Sequence, residues 1–270
     1  MKHTFVTFFA AFLAATSLAA CGSHDSKTIT VAASEIPHAQ ILNEAVKPLL
    51  QEKGYTLSVK VLDWTLQNDA VANGEYDANY FQHRPYLQTY TNNEDYAVVE
   101  PIVTVHFEPL HIYRGKAASG TAPTSSSTFE ICNDVSNEIR ALDLLKNAGL
   151  ISGYDLDANG TPTNLPSNVT LIEESLLAAS LQDYDFGVLP CNTALTANLT
   201  ADPTLPGEDD TVADLRANVL AANTEKYKNN AEYKAKIDVL ADALLTATVR
   251  DYITNTWHNV IAPYQKDLRN

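Results

Sequence analysis

The sequence predicts an α/β protein of two lobes with a ligand cleft between them, and three observations carry that prediction. From Ile29 onward, strand-like and helix-like segments alternate as β-α-β-α-β, the order of a parallel sheet with helices on its faces. A second strand–helix unit starts at Phe129, after a small polar stretch, Lys116 to Thr128, without apolar periodicity. Two β-rich segments, AVVEPIVTVHFEPLHIYRG (Ala97 to Gly115) and RANVLAANTEKY (Arg216 to Tyr227), flank that unit and read as chains that leave the first lobe and return to it. Open α/β sheets bind ligands at strand ends.

Taken in order, ITVAAS (Ile29 to Ser34) is a buried strand, and PHAQILNEAVKPLLQEKGY follows with Ile41, Leu42, Ala45, Leu49 and Leu50 at helical spacing. Pro48 is expected to bend its last turns and Gly54 to stop it. LSVKVLD alternates as a strand, and TLQNDAVANGEYDANY is a short helix running into another strand. In the second unit the strand Phe129 to Cys132 leads into a helix carrying Ile139, Leu142 and Leu145, ended by Gly149. YDLDANGTPTNLPSN is a turn-rich excursion, VTLIEES and DYDFGVLPC are two more strands around SLLAASL, and ADPTLPGEDD is an exposed acidic loop. The tail from about Asn230 is helical, with Ile237, Leu240 and Leu244 on one face. Lobe 1 is therefore expected over 29–114 with 219–270 returning to it, and lobe 2 over 115–218.

The first residues have a different character. One lysine, an apolar run from Phe5 to about Ala15 and then small residues make a secretory signal, 1–20, too short for a membrane span. Leu18-Ala19-Ala20-Cys21 has the form of a bacterial lipobox, in which the cysteine becomes the lipidated first mature residue; 21–28 is then a tether. The chain carries 18 Lys and Arg against 33 Asp and Glu, a net charge of −15, which disfavours nucleic acid and anionic lipid surfaces as partners. Two further cysteines, Cys132 and Cys191, face an oxidising compartment, where an even pair suggests one bridge.

Three clusters could carry chemistry. Asn133, Asn137 and Arg140 lie at one strand–helix junction, Asn192 at another, and Asn218 in a crossing segment. A guanidinium fork matches a carboxylate and amide oxygens accept from an ammonium, so the set suits an amino-acid head group; equally, the asparagines cap the helix and Arg140 lies on its wet face. DANYFQHRPYLQTY offers Tyr80, Phe81, His83 and Tyr86 as an apolar slot with one polar edge, or as core aromatics. HFEPLH, with His83 elsewhere, invites a metal reading through His106, Glu108 and His111. Pro109 forbids the helical zinc motif, and in a strand His111 would point away from the other two, so no metal is expected. With no G-x-S-x-G or Walker loop, no enzymatic role and no cofactor are expected.

IPHAQILNEAVKPLLQEKGY, GEYDANYFQHRPYL, HFEPLHIY, CNDVSNEIRALDLLKNAGLI and LPCNTAL together resemble the NlpA/MetQ family of methionine-binding lipoproteins, from about Ile29 to near the end and in order. The resemblance implies a periplasmic-binding-protein-like fold of two α/β lobes. It implies an extracytoplasmic, lipid-anchored component of an ABC importer that passes methionine to a membrane permease with its ATPase. By motif, Arg140 clamps the ligand carboxylate, Asn192 and Asn218 bond the head group including its ammonium, and Asn137 supports Arg140 or touches the carboxylate. Tyr80, Phe81, His83 and Tyr86 form the side-chain pocket, His83 and Tyr86 foremost. The chain departs from the pattern at Val135, where proline is usual, in the plain linker after Lys116, and in the cysteines before Asn133 and Asn192. Those cysteines suggest a Cys132–Cys191 disulfide stiffening two binding loops. D-methionine, a methionine-containing dipeptide, another apolar amino acid, a metal-binding lipoprotein using His83, His106, Glu108 and His111, and an adhesive lipoprotein are the alternatives.

Overall fold

The computed structural model describes residues 27–92, 96–199, 201–258 and 260–269. The signal segment and Cys21 lie outside the described residues. β1 (Thr28–Ala33) runs parallel to β2 (Thr56–Val61) on one side and to β3 (Ala78–His83) on the other. Ile29, Val31, Ala32 and Ala33 are fully buried, the burial a central strand needs when helices cover both faces. α1 (Lys47–Glu52) and α2 (Trp64–Ala72) make the crossovers. Helical backbone runs without a gap from Leu42 to Glu52, wound wider over Leu42–Val46; Pro48, which has no N–H to return to the turn before it, stands where that winding gives way to α1. Gly54, at φ 75°, takes the left-handed stop after the helix.

α3 (Arg84–Tyr90) follows β3 directly, and the chain returns through the long strand β4 (Val99–Phe107). Pairing breaks there. The segment 97–115 is not one strand pair: β5 (His111–Arg114) pairs antiparallel with a strand of the second sheet, so 111–114 lie in that sheet and not with the first-lobe elements. Pro109, which has no N–H for a ladder, stands at the break.

The chain around the second sheet comprises β6 (Phe129–Cys132), α4 (Val135–Asn147), a separate small hairpin of β7 (Asp155–Leu156) and β8 (Pro162–Thr163), β9 (Val169–Ile172), α5 (Glu174–Ser180), β10 (Phe186–Leu189), α6 (Cys191–Thr196) and α7 (Ala213–Arg216). The strand order of this sheet is β5-β10-β6-β9, with β10, β6 and β9 parallel. The chain then re-enters the first sheet as β11 (Asn218–Asn223), wedged between β3 and β4 and antiparallel to both. α8 (Thr224–Asn229), α9 (Ala231–Leu244) and α10 (Ala247–Trp257) follow, and β12 (Ala262–Asp267) closes the edge beside β4. In the order β12-β4-β11-β3-β1-β2 the β3-β1 and β1-β2 pairings are parallel and the other three antiparallel, and β4 and β11 are the strands that connect to the other sheet.

Each sheet has a main apolar core. One packs Ile41, Leu42 and Leu50 with Ile237, Leu240, Leu244 and Ile253 against the large sheet. The other packs Leu142 and Leu145 of α4 with Phe129, Ile131, Phe186 and Val188 of the small sheet. The linker after Lys116 has no helix or strand before Phe129, as expected.

Candidate ligand-binding site

Every residue of β3 is buried although half of them are polar, and the polarity is satisfied by amides. The Asn68 side chain donates to Gln82 Oε1 at 2.9 Å and accepts from Asn79 at 2.8 Å and from Gln82 at 2.6 Å. Gln82 also donates to Asn79 Oδ1 at 3.0 Å. Residues three apart on a regular strand face opposite ways; here the pairing with β11 slips between Val219 and Leu220, so Phe81 is an extra residue on β3. The bulge ends the strand with Phe81, Gln82 and His83 at one pocket. Tyr80 does not reach it. It is fully buried, its hydroxyl bonds His106 Nδ1, and its expected place in a side-chain slot is corrected to one beneath the pocket floor.

His83 caps α3, its Nδ1 accepting from the Tyr86 N–H at 3.2 Å, so the hydrogen is on Nε2, which donates to Asn137 Oδ1 at 3.0 Å. Burial, then the charges of Arg140 and Arg216, hold its pKa well below the ordinary histidine value, so the ring is neutral. Tyr86 meets Trp64 edge-on at 5.2 Å between ring centroids and Phe81 at 5.8 Å, making an aromatic wall.

From the other sheet, α4 brings Asn137 and Arg140, three residues apart and so on one helix face. Asp134 is the cap, accepting from the Asn137 N–H at 3.1 Å, so Asn137 is released for His83, and Asn133 is exposed. The Arg140 guanidinium is buried and already engaged. Its Nε donates to Glu208 Oε1 at 2.6 Å, and Nη2 donates to Glu208 Oε2 and to the Glu108 carbonyl, both at 2.5 Å. Nη1 is the one guanidinium nitrogen without an acceptor among the described residues. The acidic loop expected to be merely exposed thus holds the arginine in place.

The floor comes from the two crossing segments. Glu108 follows β4 and Asn218 starts β11, and both line the pocket while being 5 % exposed. Beneath them His106 Nε2 lies 2.7 Å from Glu108 Oε1; His38 Nε2 lies 3.1 Å from Asn218 Oδ1 and 3.4 Å from Glu108 Oε1. Burial pushes His38 down to about 4 and His106 to about 3. Burial raises the Glu108 carboxyl, while His38, Arg140 and the Asn192 backbone N–H oppose the rise. The histidines weighed as metal ligands are split up: His106 and Glu108 meet His38, whereas His83 faces Asn137 and His111 lies against Gly207.

Of the residues singled out in the sequence, Phe81, His83, Tyr86, Asn137, Arg140, Asn192 and Asn218 share this pocket. Trp64, Glu108 and Glu174 line it as well and were not foreseen there; Glu174 is pushed up to about 7 by burial and then by Asp134. The expected Cys132–Cys191 bridge is not formed. Both are free buried thiols, Cys132 Sγ donating to Asp134 Oδ2 at 2.9 Å and Cys191 Sγ to the Pro109 carbonyl at 2.9 Å, with Cys132 in a small-sheet cluster and Cys191 in the large-sheet core.

A pocket between two sheets, lined by a guanidinium, three asparagines, two carboxylates and three aromatic rings, fits a small zwitterion with an apolar side chain. The comparisons agree in kind. The family model described as NlpA lipoprotein matches residues 29–264. The methionine-binding lipoprotein MetQ of Bacillus subtilis (strain 168) is 35 % identical over 262 residues, covering 91 % of this chain and 93 % of the relative. The solved lipoprotein Tp32 of Treponema pallidum is 28 % identical with a TM-score of 0.72, over 88 % of this chain and 99 % of that one. A solved ABC transporter, periplasmic substrate-binding protein of Coxiella burnetii is 26 % identical with a TM-score of 0.70, over 87 % of this chain and all of that one (100 %).

Proposed function

The chain belongs to the NlpA lipoprotein family, and on that premise we propose that it is an extracytoplasmic solute-binding protein that captures methionine and delivers it to an ABC importer. It binds and releases its cargo without transforming it. The observation that carries the reading is the convergence of Arg140, Asn137, Asn192, Asn218 and His83 on one pocket with Trp64, Phe81 and Tyr86. Arg140 Nη1 meets the ligand carboxylate, held at the right place by Glu208 behind it. The rings receive the thioether chain. The large sheet with its helices is one lobe and the small sheet the other, and closure over the ligand shapes the surface the permease reads. The Leu18-Ala19-Ala20-Cys21 motif makes Cys21 the lipidated residue that attaches the protein to a membrane; no helix among the described residues is long and apolar enough to cross one.

Calorimetric titration of protein stripped of cargo by unfolding and refolding tests the reading. L-Methionine is expected to bind, with D-methionine, leucine and a methionine dipeptide titrated alongside. Arg140→Ala, checked for folding by circular dichroism, should weaken methionine binding by about 2–5 kcal/mol because a buried carboxylate loses its partner. Wild-type protein that binds no amino acid, or wild-type affinity in the variant, overturns it.

A further inference from the structure

Hydrogen positions around the pocket follow from which atoms are already committed. The Tyr80 hydroxyl faces His106 Nδ1, and Glu108 Oε1, an acceptor only, faces Nε2; the ring is therefore the Nε2–H tautomer, taking the phenol hydrogen on one side and donating to Glu108 on the other. His38 Nε2 lies between two oxygens, Asn218 Oδ1 and Glu108 Oε1, so its hydrogen is also on Nε2, and Nδ1 has no partner among the described residues. The oxygen of Asn218 is thus taken from below by His38, just as the oxygen of Asn137 is taken by His83. What these two asparagines turn to the ligand is the NH2 end, a donor.

Asn137, Asn218 and Arg140 are therefore all donors, suited to a carboxylate and unsuited to an ammonium. We propose that Glu108, not Asn218, is the acceptor of the ligand's ammonium, and that the pair of imidazoles holding it from beneath makes the pocket selective for a cationic amine. Oε1 is held by the two N–H groups, and the residue lines the pocket floor. Both imidazoles stay uncharged in this burial, and the nearby guanidinium, which acts on Glu108 from a distance, is bound to Glu208, so among the described residues no Lys or Arg side chain forms an ion pair with Glu108. The ligand's own ammonium supplies the missing charge. His38 serves both ends, orienting Asn218 for the carboxylate and Glu108 for the amine, and is a positioning residue. Glu174 is the other pocket carboxylate; it is held by the Thr193 hydroxyl at 3.1 Å and also lines the cleft mouth.

The inference rests on the amino-acid-receptor reading, and the test separates the two. Stripped protein is titrated calorimetrically with L-methionine and with 2-hydroxy-4-(methylthio)butanoate, in which a neutral hydroxyl replaces the ammonium. An anionic acceptor reads charge, so wild type should prefer methionine by roughly 30-fold or more. Glu108→Gln should erase that preference by weakening methionine alone. Should this variant not fold, the wild-type ratio decides. Methionine binding with a preference of only a few-fold overturns this assignment and leaves the receptor reading standing. Loss of the preference in Glu174→Gln and not in Glu108→Gln moves the acceptor to Glu174 and also overturns it. Binding of neither compound overturns both.

Discussion

Single buried carboxylates show how much one side chain's surroundings decide. Glu130 on β6 is fully buried; Ser180 donates to its Oε2 at 2.5 Å, and Oε1 has no partner among the described residues. Burial pushes its pKa from 4.5 up to about 7, helped by Asp183 and opposed by the Ser180 hydrogen bond. For a raised acid, the stability it contributes is whole below the unfolded pKa and is lost as pH rises through the folded one. Urea denaturation at pH 5 and pH 8 should therefore show Glu130→Gln gaining on wild type by on the order of 2 kcal/mol at the higher pH. Equal differences at both pH values would remove the buried charge from the account. Legibility at this scale divides by sequence distance. Arg140 and His83 stand out because their local motifs are distinctive. His38 sits 180 residues from Asn218, and nothing near it in the chain announces that partner. Tyr80 and Tyr86 look alike in the sequence; only the bulge at Phe81 and the packing against His106 separate the core ring from the pocket ring.

Among elements, α4 sets the geometry of the site, and its start is fixed by one side chain. Asp134 accepts from the Asn137 N–H at 3.1 Å, with Glu138 in the first turn and Lys146 in the last, each placed favourably for the helix dipole. Asp134→Ala should lower stability by about 1 kcal/mol and, since Asn137 and Arg140 ride on the freed end, weaken methionine binding as well. A thermal-unfolding shift with unchanged calorimetric affinity would mean that the helix end is held by packing instead. Helical periodicity and the stop at Gly149 made this helix readable. The break at Pro109 did not read as a change of sheet, because alternation looks the same on either side of it. β12 escaped notice for a related reason: APYQKD is a half-exposed edge strand with a proline, lacking the apolar run that marks a buried one.

For the whole molecule, the βα order gave the two-sheet architecture, while the antiparallel insertion of β11 between β3 and β4 depended on pairing that no local pattern encodes. The disulfide expectation failed on the same ground, since adjacency of strand ends does not fix where two thiols point. Burial raises both thiols well above the ordinary cysteine pKa. Peptide mapping after alkylation should find Cys132 and Cys191 unmodified in native protein and both modified after unfolding without reductant; a linked peptide pair would restore the bridge. The acidic loop has a practical reach beyond binding. It ties Asp202 to Arg114 at 3.0 Å, Gly207 to His111 and Glu208 to Arg140, so its exposed tip is wired to the pocket. A fluorescent reporter spliced there would drag on the guanidinium and blunt the sensor it was meant to build. The Asp157–Gly160 turn of the β7–β8 hairpin lines no part of the pocket and is the sounder graft point.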